Sequence, residues 1–198
     1  MKKIHSFAAV VIAVGFLLST ACTPVQEKGD ILPTQSLAGW KTSDYTAADV
    51  SEGRIILSAD DVYVVYGELR PRFAVQLSAN LAGGEIRILF AASDIVFADP
   101  DHIAAPADQH RLEWIWNAEQ ISLCLTDGRT SELLAETDIG FSGGLVAVST
   151  EEGEAVLRLD GKKILAAVLP ERFAEGGYPG FGIRGDAVLR LGRAEERR

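Results

Sequence analysis

Four polar side chains stand on the hydrophilic side of alternating segments: Gln76, Arg87, Glu113 and Asn117. Two amides, a guanidinium and a carboxylate offer donors and acceptors that suit hydroxyl groups. If their strands line a concave sheet, they form a ligand groove; on a convex face they are ordinary solvated residues. Trp114 and Trp116 share the opposite side of the Glu113 segment. Paired aromatics either stack on rings or fill a core, and these two continue a face begun by Leu112, which favours the core. Cys124 lies mid-strand in QISLCLT and reads as a small buried apolar residue. Only His102 and His110 lie beyond the first twenty-odd residues as bases for a cysteine nucleophile. The loop FADPDHIAAPADQH carries Asp99, Asp101 and Asp108, oxygen ligands of the kind a hard cation takes. It lacks an Asp-x-Asp-x-Asp-Gly frame, so a solvated connection is the stronger reading. His102 and His110 have no third nitrogen or sulfur ligand close by, which speaks against zinc. No phosphate loop, dinucleotide fingerprint or Gly-x-Ser-x-Gly elbow is present. Neither a metal nor a cofactor is expected.

The elements that must position these residues are short strands. RFAVQLSA puts Phe73, Val75 and Leu77 on one face and Arg72, Gln76 and Ser78 on the other. NLAGG supplies a glycine turn, and EIRILF follows with Ile86, Ile88 and Phe90 against Glu85 and Arg87, which together predict a hairpin. RLEWIWN and QISLCLT repeat the alternation. Asp127-Gly128 and Asp160-Gly161 are tight-turn dipeptides whose residues tolerate positive φ. GRIILS, VYVVYG, GLVAVST, EAVLRL, KKILAAV, GFGIRG and AVLRLG complete ten to twelve strands. SELLAET fits either a strand or one helical turn, and PERFAEGG fits one turn of helix. Many short strands with closely spaced turns predict an all-β, two-sheet antiparallel sandwich of jelly-roll type.

The chain carries a formal net charge of −9, which argues against nucleic acid and anionic lipid surfaces as partners. It opens with Lys2 and Lys3, then the uncharged run Phe7 to Leu18, too short to span a bilayer comfortably. Ser19, Thr20 and Ala21 follow, and then Cys22. This stretch resembles the lipobox of bacterial lipoproteins, although Ser19 occupies the position usually held by leucine. The resemblance implies cleavage before Cys22, acylation of that residue (palmitate among the chains), and a cell-envelope location. With Thr23 rather than aspartate next, it implies the outer membrane if the host is Gram-negative. Cleavage at Ala21 as a plain secretory signal is the alternative. The expected organisation is a leader over 1–21, a tether over 22–36, a sandwich over 37–193 and a charged tail over 194–198. The remaining ~160 residues suit one domain.

The order of features also resembles the concanavalin A-like lectin and glucanase superfamily, and its laminin-G-like members in particular. The pieces that carry the resemblance are GWKTSDYTAADVSEGRIIL, LAGGEIRILF and LRLDGKKILAAVLPERFAEGGYPGFGIRGDAVLRLG. It implies two stacked sheets with ligands on a concave face or at its rim. Glucanases of that superfamily carry a Glu-x-Asp-x-x-Glu run on one strand. Here Glu113 and Glu119 lie six residues apart, with a turn predicted between them. The function expected is therefore non-catalytic binding of a glycan or other extracytoplasmic ligand. A structural or partner-binding envelope role, and glycoside cleavage, are the alternatives.

Overall fold

The computed structural model describes residue 37 and residues 39–92, 110–127 and 130–192. Within these residues the chain forms fourteen strands: β1 (Trp40–Thr42), β2 (Ala48–Ser51), β3 (Arg54–Leu57), β4 (Val62–Tyr66), β5 (Arg72–Leu81), β6 (Glu85–Ala91), β7 (Arg111–Trp116), β8 (Ile121–Thr126), β9 (Ser131–Thr137), β10 (Gly144–Glu151), β11 (Glu154–Leu159), β12 (Lys162–Val168), β13 (Tyr178–Arg184) and β14 (Ala187–Gly192). One 3₁₀ turn, Glu171–Phe173, precedes β13 and buries Phe173. The leader, the tether, Cys22, the Asp99–Asp108 part of the polar loop, and the charged tail lie outside the described residues.

Two seven-stranded antiparallel sheets result. Sheet A runs β1-β4-β13-β6-β7-β8-β9, and sheet B runs β12-β11-β10-β5-β14-β3-β2. The core lies between them. Sheet A contributes Val64, Ile88, Phe90, Trp114, Trp116 and Phe181; sheet B contributes Phe73, Val75, Leu77, Val148 and Leu189, all essentially inaccessible. Trp114 and Trp116 are therefore core residues, and Trp116 Nε1 donates to the Ile139 carbonyl at 2.7 Å. Trp40 sits on the edge strand β1 and packs on Tyr66 and Phe181.

Alternation gives each strand its faces but not its neighbours. The predicted hairpin of residues 72–91 does not form: β5 belongs to sheet B and β6 to sheet A. The late pair β13 and β14 is split between the sheets in the same way. In each case the chain crosses the sandwich, so that the two apolar faces meet across the core instead of lying side by side. The crossings pack back to back. A Cβ on Gly84 would stand 2.5 Å from the Arg184 carbonyl oxygen, and Ala82 N–H donates to the Asp186 carbonyl. Gly185, at φ +74°, turns the second crossing and donates its N–H to Asp60 Oδ1. By contrast β7–β8 and β11–β12 are true hairpins. Asp160 and Gly161 both adopt positive φ at the second of them, as that dipeptide predicts. SELLAET is a strand, β9, on the edge of sheet A.

Candidate functional site

Sheet A has a second packed face, turned away from the core. Residues alternate in direction along a strand, so each inward side chain leaves an outward neighbour: Tyr63 and Val65 on β4, Gly180 and Gly182 on β13, Arg87 and Leu89 on β6, Arg111 and Glu113 on β7, Cys124 and Thr126 on β8. Register aligns them in rows. Tyr63, Gly182, Arg87, Ile115 and Ser122 form one row; Val65, Gly180, Leu89, Glu113 and Cys124 form the next; Tyr178, Ala91, Arg111, Thr126 and Ser131 form a third.

The β6–β8 half of this face is a chain of alternating charge. Arg87 donates to Glu85 Oε1 through Nε at 2.9 Å and again through Nη2. Its Nη1 lies 3.5 Å from Glu113 Oε1, and Arg111 Nε approaches that same oxygen to 3.1 Å. The angle at this last contact misses a hydrogen bond, so Arg111 Nε and Glu113 Oε1 are a buried ion pair with no hydrogen bond of their own. Glu113 Oε2 accepts from Thr126 Oγ1 at 3.0 Å, and Thr126 Oγ1 stands 3.3 Å from Ser131 Oγ. Burial works against the charge on Arg87, but the Tyr63 phenol side and the carboxylates of Glu113 and Glu85 outweigh it and raise its pKa. Cys124 lies beside Glu113 in register. Burial pushes its thiol above the ordinary value; Ser131 opposes this shift and Glu113 adds to it.

The β4–β13–β6 half is apolar. Tyr63, Val65, Leu89 and Ala91 form a cluster separate from the main core, with Tyr178 packed against it. Glycine makes this possible. A Cβ on Gly182 would stand 2.3 Å from Tyr63 Cδ1, and one on Gly180 would press on Val65 and Leu89. The Tyr63 ring thus lies against Gly182, where β13 presents no side chain. Burial raises the Tyr63 phenol above its ordinary value, and Arg87 pulls the other way.

The face opens at the Glu85 end. An open cleft of about 320 Å³ is lined there by Gly83, Gly84, Glu85, Asn117, Arg184 and Gly185. Glu85 belongs both to this cleft and to the charge chain, so the cleft borders the buried pairs at their outer end.

Of the four residues singled out by alternation, Arg87 and Glu113 meet on this face. Asn117 borders the adjoining cleft, and its side chain caps the β7–β8 turn by accepting from the Glu119 and Gln120 N–H groups. Gln76 is elsewhere, on the outer side of sheet B, paired in register with Leu145 and Gly192. One groove shared by all four does not form. Nor is Glu113 solvated: it is 2% exposed. Alternation alone did not single out Tyr63, Glu85, Arg111 or Thr126. The signal for Tyr63 was the unbroken apolar run VYVVY, which marks a strand buried on both faces. Among the described residues no cluster of three or more metal-ligating side chains occurs. Glu85 and Glu113 are both carboxylates, but they stand on different strands, and Arg87 contacts both. A glycosidase pair needs the space between its acids free for the scissile bond.

No protein-family model and no curated protein matches the sequence. Solved structures do match in fold. The carbohydrate-binding module CBM66 from Bacillus subtilis superposes with a TM-score of 0.54 at 15% identity, over 78% of this chain and 92% of that one. A Bacillus licheniformis beta-glucanase superposes with a TM-score of 0.55 at 11% identity, over 85% of this chain and all of its own 100%. The Emp46p carbohydrate recognition domain, in potassium-bound form, superposes with a TM-score of 0.59 at 8% identity, over 81% and 91%. The chain is a concanavalin-like jelly roll. At these identities the likeness is one of fold, since a fold of this kind hosts several activities.

Proposed function

We propose that the chain is a non-catalytic glycan-binding module that uses the Glu85 end of sheet A. The observation that carries this reading is the open cleft of about 320 Å³ at that end. Glu85, Asn117 and Arg184 line it with a carboxylate, an amide and a guanidinium, beside the bare backbone of Gly83, Gly84 and Gly185. Donors and acceptors placed around a groove suit the hydroxyls of a sugar. The fold neighbours named for carbohydrate binding and glucan cleavage are compatible with the reading. A glycan array probed with the protein, with and without EDTA, tests it. Reproducible binding to one glycan class supports it; no binding to any glycan in either condition overturns it.

The same proposal places the module in the cell envelope, held by acylated Cys22 through a tether over 22–36. Several acyl chains anchor firmly where one does not. Cys22→Ser should move the protein from the membrane to the soluble fraction; unchanged membrane association would refute the anchor. A partner-binding role has one observation in its favour. Leu133 and Val168 are exposed apolar residues on the edge strands β9 and β12. A pull-down from the envelope that fails when Leu133 and Val168 are both changed to serine would favour that role.

A further inference from the structure

We infer that Tyr45 is a stacking subsite that extends the cleft at the Glu85 end of sheet A, so that the module grips a stretch of glycan rather than a single sugar; the inference rests on the glycan-binding reading above. Among the described residues Tyr45 is the one aromatic residue that is exposed, at 74%, while the other rings are buried or half-buried. It stands in the turn between β1 and β2, and register puts that turn at the same end of sheet A as the cleft. Thr42, the last residue of β1, pairs with Val64. Ser43 N–H then donates to the Tyr63 carbonyl, and Tyr63 N–H donates to Ser43 Oγ. Just before β4 stand Asp60 and Asp61, both exposed. Asp60 Oδ1 accepts at 2.6 Å from the N–H of Gly185, a lining residue of the cleft. At the same level β13 places Ile183 opposite Val62 and Arg184 opposite Glu85. An exposed path therefore crosses the strand ends, from Tyr45 past Asp61 and Asp60 to Arg184 and the cleft.

The turn holds the ring ready. Asp44 Oδ1 accepts from both the Thr46 hydroxyl and the Thr46 N–H at 2.7 Å, and Asp44 N–H donates to Thr42 Oγ1 at 3.2 Å. The backbone on both sides of Tyr45 is thus fixed, and the side chain itself has two rotatable bonds. It is offered to a ligand at a small ordering cost. An aromatic face packs on the C–H face of a pyranose, while Asp61, Asp60 and Arg184 offer acceptors and donors to hydroxyls on the way to the cleft. The span sets the length of the ligand. β1 lies three strand steps from β6 in sheet A. At about 4.8 Å per step this is roughly 14 Å. A pyranose unit is about as long as one step, so a glycan that touches both Tyr45 and Glu85 has at least about three units.

The test is affinity of the full chain, in detergent, for oligosaccharide series of increasing length: β-1,3- and β-1,4-gluco-oligosaccharides, manno-oligosaccharides and xylo-oligosaccharides, each from the monosaccharide upward. In a series that binds, affinity should rise until the ligand has about three units and then level off. Tyr45→Ala should remove that rise, lowering affinity for the longer members by about tenfold while leaving the monosaccharide unchanged. Tyr45→Phe, which keeps the ring face, should retain the rise. Since the side chain is 74% exposed, both variants should unfold as the unaltered protein does. Affinity already complete at one unit, a rise that survives Tyr45→Ala, or a rise lost with Tyr45→Phe as fully as with Tyr45→Ala would each overturn the inference while leaving the glycan reading intact. Binding to no series would overturn the inference, and an empty glycan array beside it would overturn the glycan reading as well.

Discussion

Glu113→Ala is the most informative single change, because it removes the one acceptor that two guanidiniums share. Arg87 Nη1 and Arg111 Nε lie 3.5 and 3.1 Å from Glu113 Oε1. Without the carboxylate, two cations face each other across the gap. Like charges ~6 Å apart repel by about 3 kcal/mol at an effective dielectric near 20. Breaking a buried pair by deleting one partner costs about 3–5 kcal/mol. Arg87 keeps Glu85, and Arg111, with 14% of its side chain exposed, can turn toward water. The expected loss is therefore at the low end, about 3 kcal/mol. Glu113→Gln retains an acceptor for Thr126 and the side-chain volume, so about 1–2 kcal/mol is expected. The double change Arg111→Met with Glu113→Leu removes both charges together and should recover much of the loss. Urea unfolding followed by tryptophan fluorescence reads all three, since Trp114 and Trp116 are fully buried. If Glu113→Ala lies within about 1 kcal/mol of the unaltered protein, the carboxylate does not hold the arginines and the account of this face fails.

Gly182→Ala should destabilise by about 1–3 kcal/mol, because the new methyl displaces the Tyr63 ring; equal stability in the same urea assay would show that the ring does not depend on the bare strand. Tyr63 is neutral at physiological pH and its folded pKa is raised, so its contribution to stability is complete below the ordinary tyrosine value of 10.0 and fades as pH rises beyond it. Tyr63→Phe should therefore blunt the alkaline loss of stability, and an unchanged pH profile above that value would contradict the burial assigned to the phenol. Cys124 is buried and its thiol is raised, so a thiol reagent at mildly alkaline pH should label it only after unfolding; rapid labelling of the folded protein would contradict its place beside Glu113.

Much of the architecture is legible in the sequence because a strand writes its faces with period two. Ile88 against Arg87, and Trp114 against Glu113, can be assigned to opposite faces without coordinates. The Asp160-Gly161 turn is equally plain, since few other dipeptides accept two positive φ angles in succession. What alternation cannot show is which strand lies beside which. A glycine-bearing link between two alternating segments looks the same whether the chain folds back as a hairpin or crosses to the facing sheet. That is why residues 72–91 read as a hairpin while their strands lie in different sheets. Alternation also takes a polar residue opposite a core residue to be solvated. Glu113 breaks that rule because sheet A packs on both faces, and the runs VYVVY and ILFA, unbroken rather than alternating, are where the sequence records it. Asn117 has the composition of a binding residue, but its amide serves the turn it stands in.

The central claim is that the outer face of sheet A binds glycan at its Glu85 end and the outer face of sheet B does not. Arg87 and Gln76 lie on these two faces, so one pair of variants separates them. The measurement is glycan-array binding by the unaltered protein, Arg87→Met and Gln76→Ala, each checked for native unfolding behaviour. The account predicts binding by the unaltered protein, a loss of at least about tenfold with Arg87→Met, and no change with Gln76→Ala. Binding lost with Gln76→Ala and kept with Arg87→Met would put the site on the other sheet and contradict the account.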